Sequence, residues 1–411
     1  MTAGFGDGSN EAAGTSRPPA LWTLPFVTFV VLNLFVFMGF DLLLPTLSLY
    51  LELNDMNEAE IGRIFGTFTL SAVLMRMLAG RLARRLDALK LVRLGFLGCA
   101  LAGVWYFWAR DVPSAMAARF LHGAGFGLAS TLVTALASQI IPPSRMGEGM
   151  GYLGLGTTLA LALGPFFGIW LVDEFSYLVM FMVVAAFYVA SVLGVGFLPK
   201  ITLASSAPDA PKPRLVLFSR KVLVPSFLMG LVGVIMGSVT IYLALYCKEK
   251  GLPYAGHFFV LSTIGIFVAR FTAGRIHDRL GHRYVLIPCG FILLGSMLML
   301  YLSDSRNAMF LVSITYGLST GAMFPSLQAL AISMVPLSGR TEATSSFFNS
   351  FDFGIGLGSL GFGYLASRAG SYNSVYLGSA VVAAVFLVFY ISYYSFIRPP
   401  RKGAEGKRES V

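Results

Sequence analysis

The chain has 411 residues, of which 56% are hydrophobic and 12% are charged, and its mean hydropathy is +0.74. This composition lies outside the range of soluble domains and excludes an ordinary soluble enzyme or nucleic-acid-binding domain. The formal net charge of +10 therefore has to be interpreted by its distribution along a membrane protein rather than by its sum.

Twelve apolar runs follow one another along the chain, each close to the about 20 residues that a helix needs to cross a bilayer. Because a helix satisfies its own backbone hydrogen bonds, as lipid requires, the sequence predicts an all-α polytopic membrane protein with twelve transmembrane helices. The predicted spans lie near residues 26–49, 61–83, 91–109, 114–141, 149–172, 177–198, 222–246, 256–277, 284–303, 307–335, 342–367 and 372–396.

Polar segments divide the chain into five predicted parts. These are a disordered cytoplasmic tail over residues 1–21, a six-helix bundle over 22–198, a Pro-rich cytoplasmic linker over 199–221, a second six-helix bundle over 222–397 and a basic cytoplasmic tail over 398–411. The first tail has no basic segment leading into a short apolar core, so it does not resemble a cleaved signal.

The basic residues indicate an orientation in the membrane. With both termini in the cytoplasm, 21 of the 30 Lys and Arg residues lie on the inner side, six lie outside and three lie within helices. The positive-inside rule favours this arrangement, and we expect a multi-pass protein of a bacterial cytoplasmic (inner) membrane. The basic C-terminal tail is interpreted as an anchor beside anionic lipid rather than a nucleic-acid site.

One stretch of the chain occurs twice. The segment "RMLAGRLARRLDALK", which starts at Arg76, reappears 194 residues later as "RFTAGRIHDRLGHRY", which starts at Arg270. The same offset relates Gly123 to Gly317 and Gly164 to Gly358. The two six-helix bundles are therefore homologous and, since six is even, parallel in the membrane. Such pseudo-symmetric halves are typical of secondary transporters with a site near the bilayer midplane.

These segments resemble the major facilitator superfamily over residues 22–397. The repeated basic stretches resemble its loop signature G-x-L-a-D-r-x-G-r-k, "ARFLHGAGFG" resembles its helix 4 signature, and "GLGTTLALALGPFFGIW" resembles the helix 5 signature of its exporters. The resemblance implies a drug or metabolite exporter of the proton antiporter branch. We expect a monomer that binds a small-molecule substrate and protons within the lipid bilayer, with the proton gradient in place of any cofactor.

Asp41 is the clearest candidate for a proton carrier. A carboxylate within an apolar helix is costly in lipid, and burial favours its neutral form. We expect Arg119 on helix 4 to be its partner, and in the resembled family the matching Arg is an element of proton coupling. The alternative is a static ion pair that braces the bundle. His122 lies on the same face of helix 4 and has either a titrating or a hydrogen-bonding role.

A second acid, Asp352, lies in the eleventh predicted helix. Arg270 is the candidate partner at the most similar depth in the membrane. This pair is interpreted either as a second coupling site or as a brace of the C-terminal half. Arg76 occupies the equivalent position in the first half, where Thr158 stands in place of the acid. A side chain such as Arg76 can instead snorkel to the inner interface.

Two further sets of candidates concern the substrate cavity and the gates. The expected cavity residues are polar or aromatic and comprise Asn33, Phe37, His122, Phe126, Tyr152, Phe324, Gln328, Phe348 and Asn349. The expected inner-gate residues lie in the repeated stretches and comprise Gly80, Arg81, Arg85, Asp87, Gly274, Arg275, Asp278 and Arg279. Gly80 is expected to allow a close helix approach, and Asp87 to replace an acid that the family signature has at an earlier position. Gly164 and Pro165 are expected to shape the outer gate.

The sequence contains no pattern that indicates an enzyme or a metal site. Phosphate-loop and nucleophile signatures are missing, and Cys99, Cys247 and Cys289 have no metal-ligand spacing. The chain is thus expected to be a proton-coupled exporter of a small amphipathic or apolar compound, working by alternating access. The alternatives are a dedicated exporter of one polar metabolite, such as a metallophore, sugar or lipid-like molecule, and a non-transporting sensor on the same scaffold.

Overall fold

The computed structural model describes residues 20–83, 85–142, 145–201, 219–302, 305–336 and 340–394, and these residues form helices without any strand. Twelve α-helices, α1 to α12, follow one another in these ranges. They are α1 Leu24–Leu53, α2 Glu58–Leu82, α3 Ala88–Trp105, α4 Val112–Ile140, α5 Met146–Glu174, α6 Tyr177–Gly194, α7 Leu223–Glu249, α8 Ala255–Leu280, α9 Arg283–Leu302, α10 Arg306–Ser333, α11 Arg340–Ala369 and α12 Asn373–Ser392.

Several helix starts are stabilised by side chains that accept backbone hydrogen bonds. Asn57 and Glu60 form a reciprocal capping box at the start of α2, and Asp111 caps α4 through the Ser114 backbone N–H at 2.8 Å. Prolines lie inside several helices, including Pro165 of α5 and Pro325 of α10, as packed transmembrane helices tolerate.

Eleven of these helices are long and apolar enough to cross a membrane. The exception within the described ranges is α11, which spans 30 residues and carries Asp352, Asn349 and several serines. Its polar residues face the protein interior in part, since Ser346 and Ser359 are fully buried. The predicted tails 1–21 and 398–411 lie almost entirely outside the described residues, as does most of the predicted linker 199–221.

The helices pack in the same way within each half. In the first half α2 packs against α4, α1 against α5 and α3 against α6, and in the second half α8 packs against α10, α7 against α11 and α9 against α12. Gly123 of α4 lies against Phe68 of α2, and Gly317 of α10 lies against Ser262 of α8. The 194-residue offset thus relates packing contacts as well as residue identities.

The two halves meet mainly where α2 packs on α11, α5 on α8 and α1 on α7. We call the end with the α1–α2 and α7–α8 connections the predicted outer end. There Lys248 bonds to Glu52 across the halves at 2.6 Å, and Gly62 of α2 lies directly against Gly363 of α11. At the predicted inner end, a Cβ added to Gly80 or Gly274 would meet no atom within 4 Å. The halves are therefore in close contact at the predicted outer end.

Candidate transport site

Five charged side chains lie in the middle of the described helices, away from the helix ends. They are Asp41, Arg76, Arg119, Arg270 and Asp352. A charge at this depth is costly and usually has a partner or a function, so the surroundings of each one define the candidate site.

Asp41 is buried in α1, with 3% of its surface exposed. The helix α5 approaches it closely, because a Cβ added to Gly164 would lie 2.6 Å from the Asp41 Cβ. No cation lies within ion-pair distance of Asp41 in the described parts of the chain. Asp41 is thus a buried acid without a charged partner.

Arg119 of α4 is fully buried, and its guanidinium lies among aromatic rings. The guanidinium carbon is 4.3 Å from the Phe65 ring centre and 4.8 Å from that of Phe68, which are cation–π distances. None of its three guanidinium nitrogens has a hydrogen-bond partner among the described residues. The predicted Asp41–Arg119 pair is therefore wrong for this conformation, because the two Phe rings of α2 hold the guanidinium instead.

His122, one turn further along α4, is held by two buried tyrosines. Its Nδ1 lies 3.0 Å from the Tyr106 hydroxyl and its Nε2 lies 2.9 Å from the Tyr188 hydroxyl. A neutral imidazole offers one donor and one acceptor, so these two contacts use both ring nitrogens. The hydrogen-bonding interpretation of His122 therefore fits this geometry. The Tyr188 hydroxyl also lies 3.4 Å from the Val36 carbonyl oxygen, so these contacts reach α1, the helix that contains Asp41.

Asp352 forms an ion pair with Arg76 of the opposite half. The predicted partner, Arg270, is wrong, because α11 packs along α2 whereas α8 packs mainly on α10. Arg270 is exposed on α8, and the described residues offer it no ion-pair partner. Comparison of helices within one half cannot reveal the observed pair, because it connects the two halves.

Each half also contains a cluster of phenylalanines. In the first half, Phe126 lies 5.3 Å from Phe37 and 4.9 Å from Phe40, measured between ring centres. In the second half, Phe324 lies 5.8 Å from Phe348, and Phe348 is 36% exposed. These clusters contain four of the predicted cavity residues.

The remaining predicted cavity residues have varied surroundings. Asn33 is buried and donates to the Leu153 carbonyl at 2.9 Å and to the Thr157 hydroxyl at 3.0 Å, so it connects α1 to α5. Tyr152 packs against Trp22, with ring centres 4.6 Å apart. Gln328 of α10 and Asn349 of α11 are half-buried.

The predicted inner-gate residues are placed at the ends of α2 and α8. Arg81, Arg85, Arg275 and Arg279 are exposed. Gly80 makes no close helix contact in this conformation, since open space surrounds it and its counterpart Gly274. Asp87 caps α3 by accepting from the Leu89 and Lys90 backbone N–H groups, at 2.8 and 3.1 Å. The side chain of Asp278 lies outside the described part, and Gly164 and Pro165 lie within the continuous helix α5.

No group of three or more His, Cys, Asp or Glu side chains that could hold a metal ion occurs among the described residues. The arrangement instead combines a phenylalanine cluster in each half, buried charges within the first half and one ion pair between the halves. Secondary transporters of this architecture bind substrate between their halves.

Comparisons with known proteins agree with this architecture. The family model described as Major Facilitator Superfamily matches residues 29–268 and 252–411. An uncharacterized MFS-type transporter of Methanocaldococcus jannaschii is 24% identical over 391 residues, which cover 91% of this chain and 96% of the relative. The staphylopine export protein of Staphylococcus aureus is 22% identical over 394 residues, which cover 92% of this chain and 96% of the relative.

A multidrug resistance efflux pump of Streptococcus pneumoniae is 25% identical over 287 residues, which cover 66% of this chain and 70% of the pump. Among solved structures, the nucleoside transporter NupG superposes with a TM-score of 0.71 at 16% identity and covers 89% of this chain and 98% of its own. An inward-facing bacterial homolog of the lysosomal transporter Spinster superposes with a TM-score of 0.73 at 12% identity, covering 89% and 95%.

The match of the family model over most of the chain, the membrane-length helices and the repeated halves identify the molecule as a multi-pass membrane protein. Its relatives include proteins named as exporters and efflux pumps. The chain belongs to the Major Facilitator Superfamily.

Proposed function

We propose that the protein is a proton-coupled exporter of a small amphipathic compound, acting as a single chain in a bacterial inner membrane with both termini in the cytoplasm. The relatives named for export support the direction. The phenylalanine clusters around Phe126 and Phe324 support an amphipathic substrate, because they offer apolar surface on both halves.

The observation that carries the proposal is the burial of Asp41 without a cation. A buried carboxylate that lacks a partner is stable only when a proton neutralises it. The contacts between the halves close the predicted outer end in this conformation. A proton on Asp41 therefore favours the conformation that opens towards the cytoplasm.

Arg119 supplies the second part of this switch. Its guanidinium is buried between two Phe rings and lacks a hydrogen-bond acceptor within the described residues. An Arg keeps its charge, so an ionised Asp41 would be attracted to it. Loss of the Asp41 proton then favours a rearrangement of α1 against α4, and this rearrangement couples the proton to alternating access.

The test is transport in proteoliposomes made with the purified full-length protein. The compound is first identified by comparing the media of cells with and without the protein by metabolomics. We expect Asp41→Asn to abolish its pH-gradient-driven efflux, while the matched control Asp55→Asn, an exposed acid in the α1–α2 connection, keeps it. Normal gradient-driven efflux by Asp41→Asn would contradict the proposed switch.

A second candidate is a dedicated exporter of one polar metabolite. The relative named as a staphylopine export protein favours it, because its match covers 92% of this chain. The same metabolomic comparison distinguishes the two, since a dedicated exporter changes the level of one compound in the medium and a broad exporter changes many.

A further inference from the structure

Arg76 and Arg270 occupy equivalent positions in the two halves, and the contacts around them follow the same repeat. Gly62 of α2 lies against Gly363 of α11, and their equivalents at an offset of 194 residues, Gly256 of α8 and Ile169 of α5, also lie against each other. The face of α8 that contains Gly256 therefore meets α5 as the face of α2 that contains Gly62 meets α11. Arg270 lies near that face, about four helical turns further along α8.

The acid that would pair with Arg270 is missing from the α5–α8 interface. Arg76 pairs with Asp352 of α11, and the residue equivalent to Asp352 is Thr158 of α5. Thr158 is buried, and its hydroxyl donates to the Gly154 carbonyl of its own helix at 2.9 Å. The α5–α8 interface thus contains Arg270, the counterpart of Arg76, but has Thr158 at the position equivalent to Asp352.

The charges in the middle of the helices are consequently unequal. Three arginines stand against two aspartates among these five charges of the described helices. Arg76 is paired with Asp352, and Arg119 is fully buried between aromatic rings. Arg270 is the exposed one of the three, and it lies near the face of α8 that meets α5, so it is the cation that a substrate between the halves can reach.

Alternating access gives this cation a role. When the predicted inner end closes, α5 and α8 approach each other at the depth of Arg270, as α2 and α11 do here at Arg76. Burial of an unpaired Arg in lipid or protein is costly. An acidic group on the substrate removes this cost, because it pairs with Arg270 as Asp352 pairs with Arg76. Closure of the inner end is then favoured only when the site is loaded.

We infer that the transported compound carries an acidic group, such as a carboxylate, and that Arg270 binds this group on the α5-facing side of α8. The inference rests on the proposed export function and specifies its substrate class. It also separates the two ligands, because Arg270 belongs to the second half and the proton carrier Asp41 belongs to the first.

Binding of matched probes tests the inference. The probes are pyrenebutyrate, its uncharged amide and the corresponding trimethylammonium cation, measured by pyrene fluorescence on the full-length protein in phosphatidylcholine nanodiscs with empty nanodiscs subtracted. We expect the acid to bind at least about tenfold more tightly than the amide or the cation. An acid that binds no better than the amide, including the case in which neither binds, overturns the inference.

Variants assign the effect to Arg270. Arg270→Gln should remove the preference for the acid, whereas Arg368→Gln, at an exposed arginine in the last turn of α11, should keep it. Thr158→Asp supplies the missing acid and should also remove the preference, while the uncharged control Thr158→Asn should keep it. A preference that survives both Arg270→Gln and Thr158→Asp overturns the assignment.

Two further measurements test whether a lipid headgroup binds at Arg270 and whether Asp41 contributes to the preference for the acid. If phosphatidylglycerol in the nanodiscs abolishes the preference, a lipid headgroup is the anion at Arg270 and the inference is overturned. We expect Asp41→Asn to keep the preference for the acid. The failure of the proposed proton switch would therefore appear in gradient-driven transport, and the failure of the substrate class would appear in binding.

Discussion

Arg76 of α2 and Asp352 of α11 form an ion pair that joins the two halves of the molecule. Both side chains are largely shielded, with 18% and 25% of their surfaces exposed. The Arg76 guanidinium also lies 5.7 Å from the ring centre of Phe126 in the first-half aromatic cluster. This pair therefore connects the contact between the halves to the candidate substrate site.

Removal of either charge should weaken the contact between α2 and α11. Arg76→Gln or Asp352→Asn leaves the other charge shielded and unpaired, which should cost this conformation about 1 to 3 kcal/mol. Hydrogen–deuterium exchange of the α2 and α11 backbone amides measures this loss as faster exchange. The charge-reversed double variant, Arg76→Asp with Asp352→Arg, should restore slower exchange relative to either single charge reversal. Exchange that is unchanged in the single variants would show that the pair does not stabilise this interface.

The same pair shows what the sequence could and could not predict. Twelve helices, two homologous halves and the acid in α11 follow from hydropathy and from the 194-residue repeat, because both are periodic along the chain. The partner of Asp352 does not follow, because Arg76 and Asp352 are 276 positions apart in the sequence and no local pattern indicates their contact. Only the packing of the two halves in three dimensions shows that α2 lies beside α11.

Gly62 should be sensitive to any side chain. A Cβ there would lie 3.3 Å from the Cα of Gly363 and closer still to the Ser359 carbonyl oxygen, and backbone atoms cannot move aside as a flexible side chain can. We expect Gly62→Leu to prevent α2 and α11 from closing the outer end and to abolish transport. Gly295→Leu on the exposed side of α9 meets open space and should retain transport. Transport by Gly62→Leu at the wild-type rate in proteoliposomes would mean that this close contact is not needed in the cycle.

The contacts of His122 lead to a prediction about stability. Tyr188→Phe removes the hydroxyl that lies 2.9 Å from the His122 Nε2 and leaves that nitrogen buried without a partner. This change should lower the free energy of unfolding by about 1 to 3 kcal/mol, measured by denaturant titration in detergent. Tyr284→Phe, at a tyrosine that is 63% exposed, is the control and should be neutral. Equal stability of the two variants would indicate that water replaces the lost hydroxyl.

The sequence could place His122 on the polar face of α4, since that follows from helical periodicity, but it could not identify the two tyrosines. Tyr106 follows α3 and Tyr188 lies in α6, and neither belongs to a polar pattern in its own segment. The surroundings of the Arg119 guanidinium could not be predicted for a related reason. The guanidinium lies against the Phe65 and Phe68 rings, whereas the positions of charged residues in the sequence suggest only charged partners.

The connection between α8 and α9 gives a prediction about pH. The His282 imidazole lies there, with its Nδ1 2.6 Å from the Tyr390 hydroxyl of α12. Burial, together with the neighbouring His277 and Arg283, lowers the pKa of His282 from 6.5 to about 4. The unfolded chain therefore binds a proton near pH 6.5 that the folded protein does not accept until about pH 4.

Because the unfolded state holds more protons in this window, the contribution of His282 to stability is complete above about pH 6.5 and is lost as the pH falls towards 4. His282→Gln keeps a polar side chain beside Tyr390 but cannot titrate, so it should flatten the fall in melting temperature between these two pH values. His257→Gln, at an exposed histidine, should leave the wild-type slope unchanged. The comparison uses thermal unfolding in detergent at constant ionic strength, since His277 and Arg283 act on His282 through charge. An identical slope in His282→Gln and the wild-type protein would show that His282 does not cause the acid sensitivity.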